Sequence, residues 1–353
     1  MIDALLDAFA WAPGPLSDAL AWVVIGTFLA GVLLADRRPD LGRTLTAGAW
    51  AGFAGFWFVL IPHFAFVHKS YVEGLLTVLA VPACLYTGWL LWQGRDSLFV
   101  LSRAIAVMGL VYLPFETIPA FVIAGLAVPA PREVLITTVA DQTGFLIQTL
   151  GFDPTPVTGP ETGYQNAFMF TSDGRRLVFE VVLACTGLGS MAIFAGLIAA
   201  VKAPLRRKLR GLAIAVPIIY ALNLARTTFI GIVFGKQYMQ FFVDEVLLLF
   251  GSSDPYMVSF FLSDRVISQL LAVVALVGIT YLVVRELPEL LTVIEDVLFL
   301  VTKEEHDLHE ALDVSRVRTD GAGEGYAVGR DDGHGVENDD HQDAVGRDDD
   351  GER

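Results

Sequence analysis

Long apolar runs separated by arginine-rich turns constrain this chain more than any other feature. Runs of about 18 residues or more are long enough to cross the ~30 Å apolar core of a bilayer as helices. With a mean hydropathy of +0.57, the sequence predicts an all-α polytopic membrane protein with about seven transmembrane helices. No basic region precedes the first run and no cleavage site follows it, so this run is predicted to be a retained span. The predicted spans are at about residues 18–35, 44–62, 72–92, 98–115, 186–201, 211–234 and 264–284.

The basic turns predict the orientation of these spans. Arg37, Arg38 and Arg43 follow the first run, and residues 202–210 contain five Lys/Arg side chains between the fifth and sixth runs. Lys and Arg accumulate on the cytoplasmic side of membrane proteins. The sequence therefore predicts a multi-pass cell-membrane protein with its N-terminus outside and its C-terminus in the cytoplasm.

One sizeable polar loop, residues 131–178, is predicted to lie outside the cell. Its first part, 133–150, has apolar residues on roughly one helical stripe, which predicts an amphipathic helix on the outer membrane surface. Residues 167–180 predict a β-hairpin closed at Asp173-Gly174. The apolar piece 118–129 is too short for a span, and it either extends the fourth span or lies at the interface. The predicted stripe consists of Val134, Leu135, Val139, Phe145, Leu146 and Leu150.

The end of the chain has a different composition. Residues 287–313 predict a cytoplasmic amphipathic helix on the inner surface, and 314–353 predict an acidic disordered tail. The transmembrane domain is therefore predicted to cover 1–301. Acidic residues outnumber basic ones by 39 to 24 in the whole chain, which is typical of a high-salt cytoplasm but also of acidic tails elsewhere. No metal-ligand spacing or nucleotide-binding loop occurs, so neither a cofactor nor a metal is expected.

Two of the predicted helices bring candidate catalytic residues to the same depth. Cys185 precedes the descending run to the basic turn, and Arg226 lies a matching distance along the ascending run. Cys185 stands where a loop becomes a helix, beside Thr186 and Gly187, where a helix N-terminus lowers a thiol pKa and offers N–H groups to an oxyanion. The alternative is a small apolar cysteine, as Cys84 is interpreted to be.

Two arginines and nearby polar groups complete the predicted site. An arginine inside an apolar run usually marks a functional or paired site, although Arg226 also fits a snorkelling side chain. Arg265 opens the last span, where an ordinary flanking charge is the alternative. Asn223, one turn before Arg226, is a supporting residue. Glu180 is another, and either Glu180 or Asp264 is a candidate ion-pair partner for either arginine. His63 and His68 are candidate bases or ordinary interfacial histidines.

These residues resemble the exosortase/archaeosortase family. The resemblance rests on Ala184-Cys185-Thr186-Gly187, Arg226 and Arg265, and it covers roughly residues 18–285. Arginine at the third position is the archaeosortase form, and the acidic tail is of haloarchaeal type. The resemblance implies a membrane cysteine transpeptidase with its active site on the extracytoplasmic side. Its chemistry would be like that of the sortases, but its fold would be unrelated to theirs.

The resemblance also implies substrates and residue roles. Family substrates are secreted proteins, including the S-layer glycoprotein, whose C-terminal signal has a Pro-Gly-Phe motif, a transmembrane helix and a basic tail. Cys185 would cleave near that motif through a thioester, and Arg226 and Arg265 would stabilise the thiolate and the oxyanion. The new C-terminus would pass to a polar archaeal lipid. No nucleic-acid partner is expected.

The residues alone also allow two non-catalytic interpretations. A transporter would bind an anionic solute with Arg226, and a membrane scaffold would bind lipid phosphates with Arg226 and Arg265. The lack of evident inverted repeats weighs against a transporter. Both readings predict that Cys185→Ala is tolerated, whereas the transpeptidase reading predicts loss of processing.

Overall fold

The computed structural model describes residues 14–67, 71–172 and 174–304, so the predicted acidic tail lies outside the described residues. The described part is mainly helical, with two small antiparallel sheets. Its helices and strands are α1 (Pro15–Ala35), α2 (Pro39–Pro62), α3 (Tyr71–Trp92), α4 (Leu98–Thr117), β1 (Phe121–Ile123), β2 (Leu126–Val128), α5 (Pro131–Thr149), β3 (Thr155–Val157), β4 (Ala167–Ser172), β5 (Arg175–Glu180), α6 (Leu188–Ala200), α7 (Leu205–Lys236), α8 (Val243–Phe250), α9 (Gln269–Glu286) and α10 (Leu290–Thr302).

Among the described residues, six helices are long and apolar enough to cross a membrane. They are α1, α2, α3, α4, α7 and the continuous helical segment Pro255–Glu286 that ends in α9. The prediction of an all-α polytopic membrane protein is therefore confirmed. The span predicted at 186–201 corresponds to α6, which has only 13 residues. At ~1.5 Å per residue, α6 is about 20 Å long, which is shorter than the apolar core of a bilayer.

Small residues let the helices approach closely. A Cβ added to Gly196 of α6 would lie 2.4 Å from the carbonyl oxygen of Ala104 on α4. One added to Gly31 of α1 would lie 2.3 Å from the hydroxyl of Thr46 on α2. Glycine at such crossings permits backbone-to-backbone packing, which is a common basis of helix association in membranes. The short helix α6 is therefore fixed against α4.

The predicted hairpin is confirmed in the polar segment between α4 and α6. Strands β4 and β5 pair antiparallel, with Ala167 opposite Glu180 at one end and Ser172 opposite Arg175 at the other. Strand β3 pairs with the other edge of β4. Asp173 lies outside the described residues, and Gly174 has the positive φ of 77° that the turn needs. The sheet packs on α5 and α7 through a shared core. That core includes Val139, Ala140, Ile147, Phe168, Phe170, Leu177, Phe179, Val181 and Ile230.

The helix predicted at 133–150 exists as α5, and half of its predicted apolar stripe is exposed. Val134, Phe145 and Leu150 are 49%, 68% and 62% exposed. The sheet packs on a face with small residues instead, because Gly144 leaves room for Phe168, whose Cε1 would lie 2.9 Å from a Cβ at that position. The helix therefore packs on the sheet through a face that most of this stripe does not share. The buried residues of α5 are Ile136, Val139, Ala140, Thr143, Gly144 and Ile147.

The apolar piece 118–129 does not extend the fourth span, because α4 ends at Thr117. It forms the hairpin β1–β2, which turns through Ala124 and Gly125 at φ 50° and 82°. Positive φ at two consecutive residues matches the twist of a two-residue hairpin loop. The apolar side chains of this hairpin are largely exposed, including Val122 at 69%.

The predicted amphipathic segment after residue 287 begins as α10, whose apolar face is buried against the bundle. Leu290, Leu291 and Val293 join the core formed by α6, α7 and α9. Asp296 is also buried, and it accepts a 2.8 Å hydrogen bond from the Ser97 hydroxyl. A buried carboxylate requires such partners. Residues 305–313 of the predicted segment lie outside the described residues.

Candidate active site

Cys185 lies in a single 3₁₀ turn, Leu183–Thr186, that leads into α6. Its N–H donates to the carbonyl oxygen of Val182 at 2.8 Å, and the Thr186 hydroxyl donates to the carbonyl of Leu183 at 2.7 Å. Gly187 then takes a left-handed conformation with φ 76°, which L-residues with a Cβ adopt only at a cost. The turn therefore presents Cys185 at the loop-to-helix junction that the sequence predicts.

One face of α7 holds this turn. Asn223, Arg226 and Thr227 share that face, because residues three and four apart on a helix are neighbours. The Asn223 side-chain amide donates a hydrogen bond to the carbonyl oxygen of Cys185. The Thr227 hydroxyl donates to the same oxygen at a distance of 3.1 Å. A Cβ on Gly187 would lie 3.1 Å from the Cβ and Cγ of Asn223, so glycine also permits the close approach. The structure thus joins Cys185 to the helix that carries Arg226.

Arg226 forms an ion pair with Asp264. The guanidinium Nη2 lies 2.6 Å from the carboxylate Oδ1, and the side chains are 29% and 23% exposed. Of the two candidate acids, Asp264 therefore pairs with Arg226. Glu180 instead accepts hydrogen bonds from the loop at 161–166, including the backbone N–H groups of Glu161 at 3.0 Å and Thr162 at 2.9 Å.

The electrostatic surroundings of Cys185 act in both directions. Burial raises the pKa of the Cys185 thiol above its ordinary value, and the carboxylates of Asp264 and Glu161 act in the same direction. A backbone hydrogen bond with Val182 and the charge of Arg226 lower the pKa, but they do not outweigh burial. The sequence-based expectation of a lowered thiol pKa is therefore wrong, because removal from water dominates. Burial and the nearby Arg226 cation thus have opposite effects on the pKa of the Cys185 thiol.

Two other predicted site residues have different surroundings. The exposed Arg265 places its guanidinium 5.4 Å from the ring centre of Phe261 and 5.7 Å from that of Phe250, which are cation–π distances. His63 begins a π-helical turn, His63–Val67, that contacts α2 and α3, and its ring packs edge-on against Phe64. His68 lies outside the described residues.

Sequence reasoning missed Thr227 as a member of the site. Its signal was the spacing from Asn223, which is four residues earlier and on the same helical face. For metals, no cluster of three or more His, Cys, Asp or Glu side chains occurs within the described ranges. The chemistry that this geometry supports is that of a partly buried thiol beside a paired arginine.

Comparison with known protein families shows which family this chain matches. The transmembrane exosortase family matches residues 11–262, which contain Cys185 and Arg226. The chain belongs to the transmembrane exosortase family. The resemblance stated from the Cys185, Arg226 and Arg265 motifs is thereby confirmed, and membership agrees with a multi-pass membrane protein.

Individual relatives cover most of this exosortase-family chain. It is 69% identical over 300 residues to archaeosortase A of Haloferax volcanii, covering 85% of this chain and 99% of the relative. It is 48% identical over 318 residues to archaeosortase A of Natronomonas pharaonis, covering 87% and 96%. No solved structure matches.

Proposed function

We propose that this protein is an archaeosortase: a membrane cysteine transpeptidase that processes the C-terminal sorting signal of secreted proteins. The substrates are expected to be surface proteins, such as S-layer glycoproteins, with a Pro-Gly-Phe motif before a C-terminal transmembrane helix. The acceptor is expected to be a polar membrane lipid. The observation that carries this proposal is the attachment of the Cys185 turn to the Asn223–Thr227 face of α7, in a member of the exosortase family.

The proposed reaction has two acyl-transfer steps. In the first, the Cys185 sulfur attacks a peptide carbonyl carbon near the Pro-Gly-Phe motif, the C–N bond breaks, and the leaving amine departs with a proton. In the second, an amine or hydroxyl of the lipid headgroup attacks the thioester, the S–C bond breaks, and the thiol is restored. The proton of the Cys185 thiol therefore leaves with the amine in the first step, and the proton of the headgroup amine or hydroxyl restores the thiol in the second.

Arg226 and Arg265 are proposed to stabilise negative charge. A guanidinium stays protonated at any physiological pH, so it acts as a fixed cation for the thiolate and for the tetrahedral oxyanion. Arg226 is already on the helix face that holds Cys185. Arg265 follows Asp264, the partner of Arg226, in the chain, and its guanidinium lies against the rings of Phe250 and Phe261, so its side chain must leave these rings to take part.

The active site is proposed to face the extracytoplasmic side. The basic segment 202–210 separates α6 from α7, and its charge favours a cytoplasmic position for that turn. Cys185 lies at the other end of α6. A substrate that is anchored by its own transmembrane helix would then present its signal to Cys185 from the outer side.

The test is complementation of a strain that lacks the protein. Cys185→Ala and Cys185→Ser are expected to abolish cleavage and lipid attachment of a Pro-Gly-Phe-tailed surface protein. Cys84→Ala is the matched control, because Cys84 is the other cysteine of the chain and is buried in α3. Normal processing by Cys185→Ala would contradict the proposal and favour an anion-binding transporter or scaffold.

A further inference from the structure

The ion pair between Arg226 and Asp264 joins two segments that are far apart in the chain. Arg226 comes from α7, and Asp264 comes from the π-helical turns Phe261–Ser268 that precede α9. The 2.6 Å contact uses only Nη2 of the guanidinium. In the part of the chain that the structure describes, the Nε donor of Arg226 is buried and has no hydrogen-bond partner.

A buried donor without an acceptor calls for an explanation. Because Arg43 on α2 also has a buried Nε without an acceptor among the described residues, it is the position of the Arg226 Nε that points to a ligand. The free Nε belongs to the same helix face that holds the Cys185 carbonyl through Asn223 and Thr227. A substrate oxygen that reaches this face would satisfy it. The arrangement therefore leaves one guanidinium donor for a ligand and uses another donor to hold the group in place.

The segment that carries Asp264 is well anchored. Ser263 and Ser268 on either side of it are buried, and the Ser263 hydroxyl donates to the carbonyl oxygen of Ser259 at 2.7 Å. A charge-assisted hydrogen bond to a fixed carboxylate restricts a long arginine side chain to one orientation. Isolated π-turns within helices often occur at functional sites.

We propose that Asp264 is a positioning residue, which holds the Arg226 guanidinium beside the Cys185 turn so that Nε is free to bind the carbonyl oxygen under attack. This inference rests on the proposed function, because it assigns the oxygen to an acyl substrate. Asp264 acts through Arg226 and has no bonding role of its own in the reaction.

Removing the charge of Asp264 has two opposite consequences, which makes the proposal testable. The groups that act electrostatically on the thiol are Arg226, Asp264 and Glu161, and Asp264 is one of the two that raise its pKa. If Asp264 acted only through its field at the thiol, Asp264→Asn would increase the thiolate fraction and speed the reaction. If Asp264 positions Arg226, the same variant slows the reaction.

The experiment uses the full-length protein with Cys84→Ala, reconstituted in lipid vesicles with a Pro-Gly-Phe-tailed transmembrane substrate. Asp264→Asn is expected to lower kcat by about 10–100-fold with a smaller change in KM, because a displacement of about 1 Å at a reacting centre has effects of that size. Asp264→Glu is expected to recover part of the rate. Asp254→Asn is the matched control, because Asp254 forms an equally short 2.6 Å ion pair with Arg175 on β5.

A second readout is iodoacetamide alkylation of Cys185 as a function of pH, which does not require processing. The midpoint for Asp264→Asn is expected at lower pH than for the parent, because one of the groups that raise the thiol pKa is gone. A variant that alkylates more readily and processes more slowly separates positioning from a field effect. Because an unfolded variant would also alkylate more readily, the unfolding temperature of Asp264→Asn is compared with that of the parent, and the two are expected to agree within a few degrees.

The double variant Arg226→Ala/Asp264→Asn decides whether the two residues act as a unit. It is expected to be no slower than Arg226→Ala alone, because groups that act as a unit are not additive. Unchanged or faster processing by Asp264→Asn would overturn the inference, and so would multiplication of the two single effects. Failure of the proposed function has a different signature, namely normal processing by Cys185→Ala.

Discussion

The hydroxyl of Thr227 donates a 3.1 Å hydrogen bond to the carbonyl oxygen of Cys185. Because Asn223 donates to the same oxygen, the peptide that follows the thiol is held by two side chains of α7. The candidate nucleophile and Arg226 are thereby attached to one helix. Their relative position depends on side-chain hydrogen bonds as well as on the course of the chain.

Thr227→Val is expected to reduce processing, because valine keeps the shape of threonine but has no donor. The loss of one such hydrogen bond is worth about 1 kcal/mol, or roughly a factor of five in rate if it is felt in the transition state. The measurement is the initial rate of substrate cleavage. Thr228→Val is the control, because Thr228 is equally buried but donates only to Leu224 within its own helix. Equal rates for the two variants would refute a role for the Cys185 carbonyl contact.

Gly187→Ala is expected to impair both stability and activity. An alanine there must adopt φ 76°, at a cost of about 1–2 kcal/mol, and its Cβ would press on Asn223 at 3.1 Å. Thermal unfolding and processing rates measure the two effects. Gly163→Ala has a similar φ of 74° but open space around the Cβ, so it is expected to lose stability without losing activity. Full activity of Gly187→Ala would show that the turn tolerates displacement.

Glu180 predicts a stability change at low pH. Burial alone would raise the pKa of this carboxyl, but hydrogen bonds from Glu161, Thr162 and Asn166 reverse the shift and hold the pKa below its ordinary value. The folded pKa is thus lower than the unfolded one. The stabilisation is therefore complete above the unfolded pKa, ~4.3, and is lost as the pH falls through the folded value.

The measurement for Glu180 is the unfolding temperature of the parent and Glu180→Gln between pH 7 and pH 3. The parent is expected to be more stable at pH 7, and the difference is expected to shrink as the pH falls. Glu161→Gln is the control, because the contact that Glu161 makes with Glu180 uses its backbone N–H. A difference between parent and Glu180→Gln that is constant with pH would refute the assignment.

The proposed orientation predicts which loops a membrane-impermeant maleimide labels on intact cells. In a Cys84→Ala/Cys185→Ala background, Asp153→Cys is expected to be labelled, because the loop after α5 is proposed to be outside. Lys202→Cys is expected to be labelled only after lysis, because the basic turn between α6 and α7 is proposed to be cytoplasmic. Both positions are exposed in the structure. The reverse pattern would invert the topology and move Cys185 to the cytoplasmic side.

The sequence predicts the long helices well because length and apolar composition determine them locally. The hairpin at 167–180 is also predictable, since it has β-favouring residues on both sides of a turn sequence. The hairpin at Phe121–Val128 was missed, although Gly125 lies between two apolar runs, because apolar residues on both faces give no alternation. The exposed apolar side chains of this hairpin are compatible with a membrane protein. The alternation of apolar and polar residues that marks strands of soluble proteins is absent from it.

Side-chain partners were harder to predict than elements. Asp264 and Glu180 were equivalent candidates for pairing with Arg226, and only the tertiary structure separates them. The thiol pKa of Cys185 depends on how deeply the turn is packed, which spacing along the chain does not report. The buried face of α5 was not predicted for the same reason, because Gly144 matters through its neighbour Phe168.

The π-helical turns at Phe261–Ser268 have a consequence for how this protein tolerates sequence change. A π-turn holds one residue more than the α-turn it replaces, and one residue corresponds to about 100° of rotation in an α-helix. Deleting a single residue there would let the segment relax to a regular α-helix, and either Asp264 or the whole of α9 would then face another direction. Length in this short segment is thus constrained to the single residue.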